Sequence, residues 1–210
     1  MAYNKFKLKD LDTKLSLKAI QESWLPRPLP TFVEDTLLNQ TLIYAENEAL
    51  YSEKARSELI ISPTLQAFKR KNAEKMTMFS GYEFNVEKQL SLQGFCDFIF
   101  SLTTNALKIE APAVLIVEAK RLEPDLADFG QCGAEMYAAQ LFNERAGKPQ
   151  KIIYGCATSG FSWAFLKLEG NTLSIDPNYV PLTFLNPYPV LATFQWILDQ
   201  SLEKNQQHGL

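Results

Sequence analysis

Two neighbouring stretches of the chain decide the fold: GFCDFIFSL at positions 94–102 and VLIVEAK at positions 114–120. Both are rich in the aromatic and β-branched residues that favour strands. Each also carries charge where a buried strand normally has none, because Asp97 interrupts the first stretch and Glu118 and Lys120 end the second. The two stretches therefore predict adjacent core strands that carry polar chemistry at one end.

Outward from these strands, the hydrophobic spacing predicts helices packed around a sheet. The predicted helices span 31–52, 53–72 with a bend near Pro63, 130–145 and 189–204; the predicted strands span 82–92, 94–102, 114–119, 151–158, 163–169 and 172–175. This order predicts a mixed α/β class, with a central mixed β-sheet flanked by helices. Prolines make residues 1–30 an expected irregular N-terminal arm, and we expect 31–210 to form a single domain that closes with a C-terminal helix.

The composition disfavours several classes of chemistry. The only histidine of the 210 residues is His208, in a polar tail, which argues strongly against an imidazole base or metal ligand. Three scattered cysteines fit neither a disulfide framework nor a zinc site. The apolar stretch at 111–117 is too short to cross a membrane, so we expect a cytoplasmic protein with no membrane partner.

The polar residues of the two strands form a pattern suited to a metal. Side chains alternate along a strand, so Glu118 and Lys120 project from one face while Ala119 points away. If Asp97 lies on the neighbouring strand, its carboxylate joins Glu118 in the hard, oxygen-rich surroundings that magnesium prefers. The lysine would then stand beside the metal and its water.

An acidic residue on one strand followed by Glu-x-Lys on the next resembles the PD-(D/E)XK nuclease superfamily. The resemblance covers about residues 53–158. Glu58, on a helix before the sheet, and Gln131, on the helix after the Lys120 strand, look like further residues that many members carry. One departure is Cys96, which stands where the family name expects a proline before the aspartate.

The resemblance implies a restriction-endonuclease-like core and a magnesium- or manganese-dependent nuclease that hydrolyses phosphodiester bonds, with DNA as the expected partner. Asp97, Glu118 and the backbone carbonyl of Ala119 would ligate the metal, and Lys120 would orient or deprotonate the attacking water. Glu58 would assist a second metal or a bound water. Gln131 would contact the substrate or the ligands. The kind of nucleic acid, the sequence specificity and a homodimeric state stay open.

Two other interpretations remain open on the sequence alone. A non-catalytic accessory or interaction protein of the same fold would keep the core without effective chemistry. The net charge of −3 favours this alternative, because nucleic-acid affinity would depend on local basic segments such as 68–75. An unrelated α/β binding protein would instead use the same residues as solvated ion pairs.

Overall fold

A computed structural model describes residues 2–206 and shows the predicted mixed α/β class. The strands are β1 (Lys18–Gln21), β2 (Thr77–Glu83), β3 (Phe95–Ser101), β4 (Ala113–Ala119), β5 (Ile152–Thr158), β6 (Ser162–Glu169), β7 (Thr172–Ile175) and β8 (Val180–Pro181). The helices are α1 (Leu8–Leu15), α2 (Thr36–Ala45), α3 (Glu53–Arg56), α4 (Ser62–Lys71), α5 (Leu126–Arg145) and α6 (Tyr188–Gln206). A 3-10 turn at Tyr3–Lys5 precedes α1, and a π-helical turn at Ser57–Ile61 joins α3 to α4.

All eight of these strands belong to one mixed sheet, in the order β1-β7-β6-β5-β4-β3-β2, with β8 paired to β6. The pairs β1–β7 and β4–β5 are parallel, and the other pairs are antiparallel. Parallel strands need a crossover connection, which α5 provides between β4 and β5. Phe98 lies opposite Val117, so the first half of β3 runs beside the end of β4.

The sheet separates two apolar layers. The layer on one face contains α1 and α5, and the layer on the other contains α2, α4 and α6. Along β4, Ile116 packs in the α5 layer, whereas Leu115 and Val117 pack in the opposite layer. The same two-residue alternation turns Glu118 towards α5.

Helix α5 begins with a capping box, in which the Asp125 side chain accepts hydrogen bonds from the backbone N–H groups of Ala127 and Asp128. Its small residues allow close packing against the N-terminal segment. A Cβ atom at Gly130 would lie 2.4 Å from the backbone carbon of Lys7, so only glycine fits there. Residues 2–8 are thereby seated against the first turns of α5.

The expectation of an irregular arm at residues 1–30 was wrong for much of its length. Residues 8–15 form α1, and residues 18–21 form β1, which lies parallel to β7 at the edge of the central sheet. Phe6, Leu11 and Leu17 are buried. The alternating lysines do not indicate where a helix or a strand lies, so the sequence does not reveal these elements. In addition, β1 is only four residues long and obtains its backbone partners from a strand far along the chain.

Two other element boundaries differ from the prediction. Helix α2 is shorter than 31–52, because Asp35 caps it by accepting a hydrogen bond from Leu38 N at 2.8 Å. Strand β2 spans 77–83 rather than 82–92, since residues 88–91 form a turn that is closed by a bridge between Glu87 and Leu92. The remaining predicted helices and strands are confirmed within a few residues.

The predicted irregularity near Pro63 takes the form of the π-helical turn that precedes it. The N–H of Ser62 bonds to the carbonyl of Ser57, one residue further back than in an α-helix. Proline lacks an N–H, so it fits the first turn of α4, and residues 53–71 stay helical throughout. Glu58 lies within this π-helical turn.

The three cysteines are buried, as small apolar side chains would be, while His208 lies outside the described residues. No helix among residues 2–206 combines the length and the apolar character needed to span a bilayer.

Candidate active site at the ends of two strands

Asp97 and Glu118 come together through the backbone of β4. Oδ2 of Asp97 accepts a hydrogen bond from the N–H of Ala119, the next residue after Glu118, at 2.8 Å. Asp97 is half-buried, and Glu118 is only 5% exposed. The predicted pairing of one acidic residue per strand is therefore present in the structure.

Lys120 joins this pair from the end of β4. Its Nζ donates to Oε1 of Glu118 at 3.0 Å and to Oε1 of Gln131 at 2.9 Å. Asp128, in the first turn of α5, lies 3.9 Å from the same Nζ. The ammonium group is thus held between the sheet and α5, facing the two carboxylates.

Gln131 connects two buried carboxyl groups with a single amide. Its Nε2 donates to Oε1 of Glu118 at 2.5 Å and to Oε1 of Glu135 at 3.0 Å. Glu135 lies one turn further along α5 and is fully buried. The sequence had predicted a contact role for Gln131, and the structure shows that this contact reaches Glu118, Lys120 and Glu135.

Burial sets the protonation behaviour of the cluster. It raises the pKa of Glu118 to about 8, with a further contribution from the nearby charge of Asp97. Burial also raises the pKa of Asp97, and it raises the pKa of Glu135 well above its usual range with help from Glu118. Burial alone would lower the pKa of Lys120, but Glu118, Asp128 and Glu135 together outweigh it, so this pKa is raised. The lysine is therefore positively charged, and it faces carboxyl groups that hold their protons unusually tightly.

The donor atoms of this cluster fit a hard divalent cation. Oε2 of Glu118 is buried and has no hydrogen-bond partner, which is costly unless a cation or proton occupies that side. No three Asp, Glu, Cys or His side chains within residues 2–206 are grouped to hold a metal by themselves. Magnesium commonly binds through one or two carboxylates and completes its shell with water and phosphate. Asp97, Glu118 and the carbonyl of Ala119 are the residues that could hold it.

Two cavities flank Asp97, one on each side of the strand ends. The first, of about 340 Å³, lies towards the helical segment 53–71 and is lined by Lys54, Ser57, Glu58 and Ser62 from that segment. The second, of about 410 Å³, lies towards α5 and the N-terminal turn, and it contains Glu118, Lys120 and Gln131. Asp97 and Glu53 line both cavities, so they stand where the two meet.

Glu58 is further from the centre than Asp97, Glu118, Lys120 and Gln131. It lines the first cavity, but its Oε1 pairs with Nζ of Lys54 at 3.2 Å, and its side chain is 62% exposed. It makes no hydrogen bond to Asp97 or Glu118 among the described contacts. Glu53, one helical segment earlier, is the helix carboxylate that borders both cavities, and its charge contributes to the raised pKa of Glu118.

No feature of the amino-acid sequence separates Glu53 from Glu58 as a site residue. Both are glutamates of one helical stretch, and only the position of that stretch in the fold decides which one borders both cavities. The N-terminal turn was also missed as a wall of the site. Tyr3 is anchored there by its hydroxyl, which donates to the carbonyl of Phe84 at 2.6 Å, and Ala2 and Asn4 line the second cavity beside it.

No protein-family model matches this chain, and no curated protein matches it in sequence.

Proposed function

We propose that this protein is a magnesium- or manganese-dependent nuclease with a restriction-endonuclease-like core, acting on phosphodiester bonds in DNA. The observation that carries the proposal is the contact of Lys120 Nζ with Glu118 and Gln131, beside an Asp97 that is tied to the backbone of Ala119. This arrangement keeps two carboxylates and one ammonium at the mouths of two cavities. A buried charged cluster of this kind costs stability, which favours a catalytic purpose over a structural one.

Asp97, Glu118 and the Ala119 carbonyl would hold the metal. When bound, magnesium supplies charge neutralisation for the phosphate and polarises water. The protein's own part is to hold these oxygens in place. Gln131 and Lys120 both hydrogen-bond Oε1 of Glu118, and Oε2 of the same carboxyl group has no protein partner. Glu53, at the junction of the cavities, would act on a second cation or on a water.

Lys120 would act as a hydrogen-bond donor. Its pKa is raised by Glu118, so Nζ carries its protons and cannot take one from water. An ammonium in this place can hydrogen-bond a phosphate oxygen or orient the attacking water, and it can stabilise negative charge that develops in the transition state. Of the two roles expected for Lys120, orientation is therefore the better supported.

The test is cleavage of labelled single- and double-stranded DNA with magnesium, with manganese and with EDTA. We expect metal-dependent cutting that Lys120→Ala abolishes. Lys167→Ala is a matched control, because Lys167, on β6, is also an ion-paired lysine and its side chain is 18% exposed, compared with 16% for Lys120. Absence of cutting by the wild-type protein under all conditions, or equal cutting by Lys120→Ala, would contradict the proposal.

One observation favours a second function. Oε1 of Glu118 accepts hydrogen bonds from both Lys120 and Gln131, and a purely structural cluster would show the same contacts. In that case the protein would be a non-catalytic interaction protein of the same fold. Titration calorimetry with magnesium distinguishes the two, with Asp97→Asn as the comparison. A heat of magnesium binding that the wild type shows and Asp97→Asn lacks supports the nuclease. Absence of any binding heat with the wild type supports the interaction protein.

A further inference from the structure

Phe95 is exposed beside the carboxylates, unlike every other phenylalanine of the chain. All 14 phenylalanines lie within the described residues, and Phe95, at 68%, is the only one that is largely exposed. It begins β3, two residues before Asp97, and it lines the second cavity together with Lys120 and Gln131. Its ring therefore contributes little to the core and lies at the mouth of the polar site.

The backbone just before Phe95 is held in place by several contacts of Gly94. The carbonyl of Gly94 accepts a hydrogen bond from Phe84 N at 2.7 Å, and Gly94 N donates to Oδ1 of Asn85 at 3.0 Å. Gly94 has a φ of +141°, and a Cβ there would lie 3.2 Å from Cδ2 of Tyr3. The N-terminal turn thus packs directly behind the start of β3 and fixes the place from which the Phe95 ring projects.

An exposed polar side chain lines the same cavity as the Phe95 ring. Asn4, in the 3-10 turn, lines the same cavity and is exposed, so its amide can donate and accept hydrogen bonds. An aromatic face, an amide and an ammonium around one cavity suit a flat heterocycle that is joined to a phosphate. Along a strand, residues two apart are separated by about 7 Å, which brings the ring within reach of the base of a nucleotide whose phosphate lies at Asp97.

We propose that Phe95 stacks on an unpaired nucleobase next to the phosphate that is cut. The substrate class is then a single strand, a flap or a frayed end, because bases inside a duplex are already stacked on both faces. The inference rests on the nuclease function proposed above and names its substrate class. Phe95 is a specificity residue that binds the base.

The experiment compares Phe95→Ala and Phe95→Trp with the wild type in binding labelled single-stranded DNA, measured by anisotropy in EDTA and with calcium in place of magnesium. Leu107→Ala is the matched control, because Leu107 is 93% exposed in the chain between β3 and β4, away from the cavity lining. We expect Phe95→Ala to lose about tenfold in affinity, Phe95→Trp to restore it, and Leu107→Ala to bind as the wild type does.

A series of oligonucleotides with one abasic position at a time sharpens the test. One abasic position should weaken binding to the wild type by about tenfold and leave binding to Phe95→Ala unchanged, because the two changes remove the same contact. If the wild-type protein binds and cuts DNA and Phe95→Ala binds single-stranded DNA with the same affinity, the stacking role alone is overturned. Wild type that neither binds nor cuts any DNA would overturn the nuclease function as well.

Discussion

Nε2 of Gln131 lies 2.5 Å from Oε1 of Glu118, so a helix amide holds a strand carboxylate at the centre of the candidate site. The same amide nitrogen contacts Glu135 at 3.0 Å, and Oε1 of Gln131 accepts from Lys120. Each of these partners is buried or half-buried, and loss of a hydrogen bond to a buried charged group is more costly than loss of one at the surface. Gln131 is therefore the residue on which the geometry of the cluster depends.

We expect Gln131→Met, which keeps the volume and removes the hydrogen bonds, to lower the free energy of unfolding by about 1–3 kcal/mol. Urea denaturation at neutral pH measures the change. Gln140→Met on the same helix serves as the control, because the Gln140 amide donates a long, exposed hydrogen bond of 3.4 Å to Glu144. Equal stability of the two variants would show that the Gln131 bridge contributes nothing measurable.

The pH dependence of stability follows from the raised pKa values of Glu118 and Glu135. In the unfolded chain these carboxyls titrate near 4.5, whereas the folded protein holds their protons to higher pH, to about 8 for Glu118. The folded state thus binds more protons than the unfolded state between about pH 5 and pH 8. In EDTA, the free energy of unfolding should fall as pH rises through this window, by at most about 1.4 kcal/mol per pH unit for each group.

Glu135→Gln tests this sign directly, because glutamine stays neutral in both states. Compared with the wild type, the variant should show a shallower fall in unfolding free energy between pH 5 and pH 8, and little difference at pH 5. Denaturant titrations at several pH values in EDTA provide the measurement. The lowered pKa values of Asp35 and Asp176 act at more acidic pH and do not confuse the result. An unchanged slope would mean that Glu135 does not hold its proton in the folded protein.

Glu53 and Glu58 form a natural pair for comparison. We expect Glu53→Gln to slow metal-dependent cleavage by about tenfold, equivalent to about 1.4 kcal/mol in the barrier, because Glu53 borders both cavities. Glu58→Gln should have a smaller effect, since Glu58 is mostly exposed and paired with Lys54. Single-turnover cleavage rates of the two variants provide the measurement. A larger loss of rate in Glu58→Gln than in Glu53→Gln would support the role that the sequence predicts for Glu58.

The fit between α5 and the N-terminal segment can be tested at Gly130. Alanine normally favours a helix over glycine, yet its Cβ would meet the backbone of Lys7 at 2.4 Å. We expect Gly130→Ala to destabilise the protein by about 1–3 kcal/mol through overpacking, as measured by thermal unfolding. Gly133→Ala should cost less, because its Cβ would meet the side chains of Leu11 and Leu173, which can shift. A Gly130→Ala protein as stable as the wild type would mean that the segment does not pack there.

The sequence was sufficient to predict the centre of the site and insufficient for its walls. Asp97, Glu118 and Lys120 could be found because each interrupts or ends an apolar strand, and the apolar neighbours are adjacent in the chain. Local patterns of this kind are readable without knowing any tertiary contact. Gln131 was named only through the resemblance to the PD-(D/E)XK superfamily, many members of which carry a polar residue on the helix after the lysine strand.

The walls depend on contacts between distant segments. Glu53 borders the cavities only because its helix is placed above β3, and β1 is a strand only because β7 lies beside it. The four residues of β1 are exposed at both ends and carry no strong strand pattern. Pairing over such a separation is determined by the whole fold, which is why the segment 1–30 was mistaken for an irregular arm.

The parallel pairing of β1 with β7 has a consequence for synthesis of the chain. Lys18 leaves the ribosome long before its partner Thr172, so β1 has no strand to join until nearly all of the sheet has been made. Until residues 126–145 have been made, the apolar side chains of Phe6, Leu11 and Leu17 also lack the α5 layer that covers them in the finished molecule. The edge strand β1 is therefore among the last parts to be assembled, and a nascent chain that stalls before α5 would present these apolar residues to chaperones.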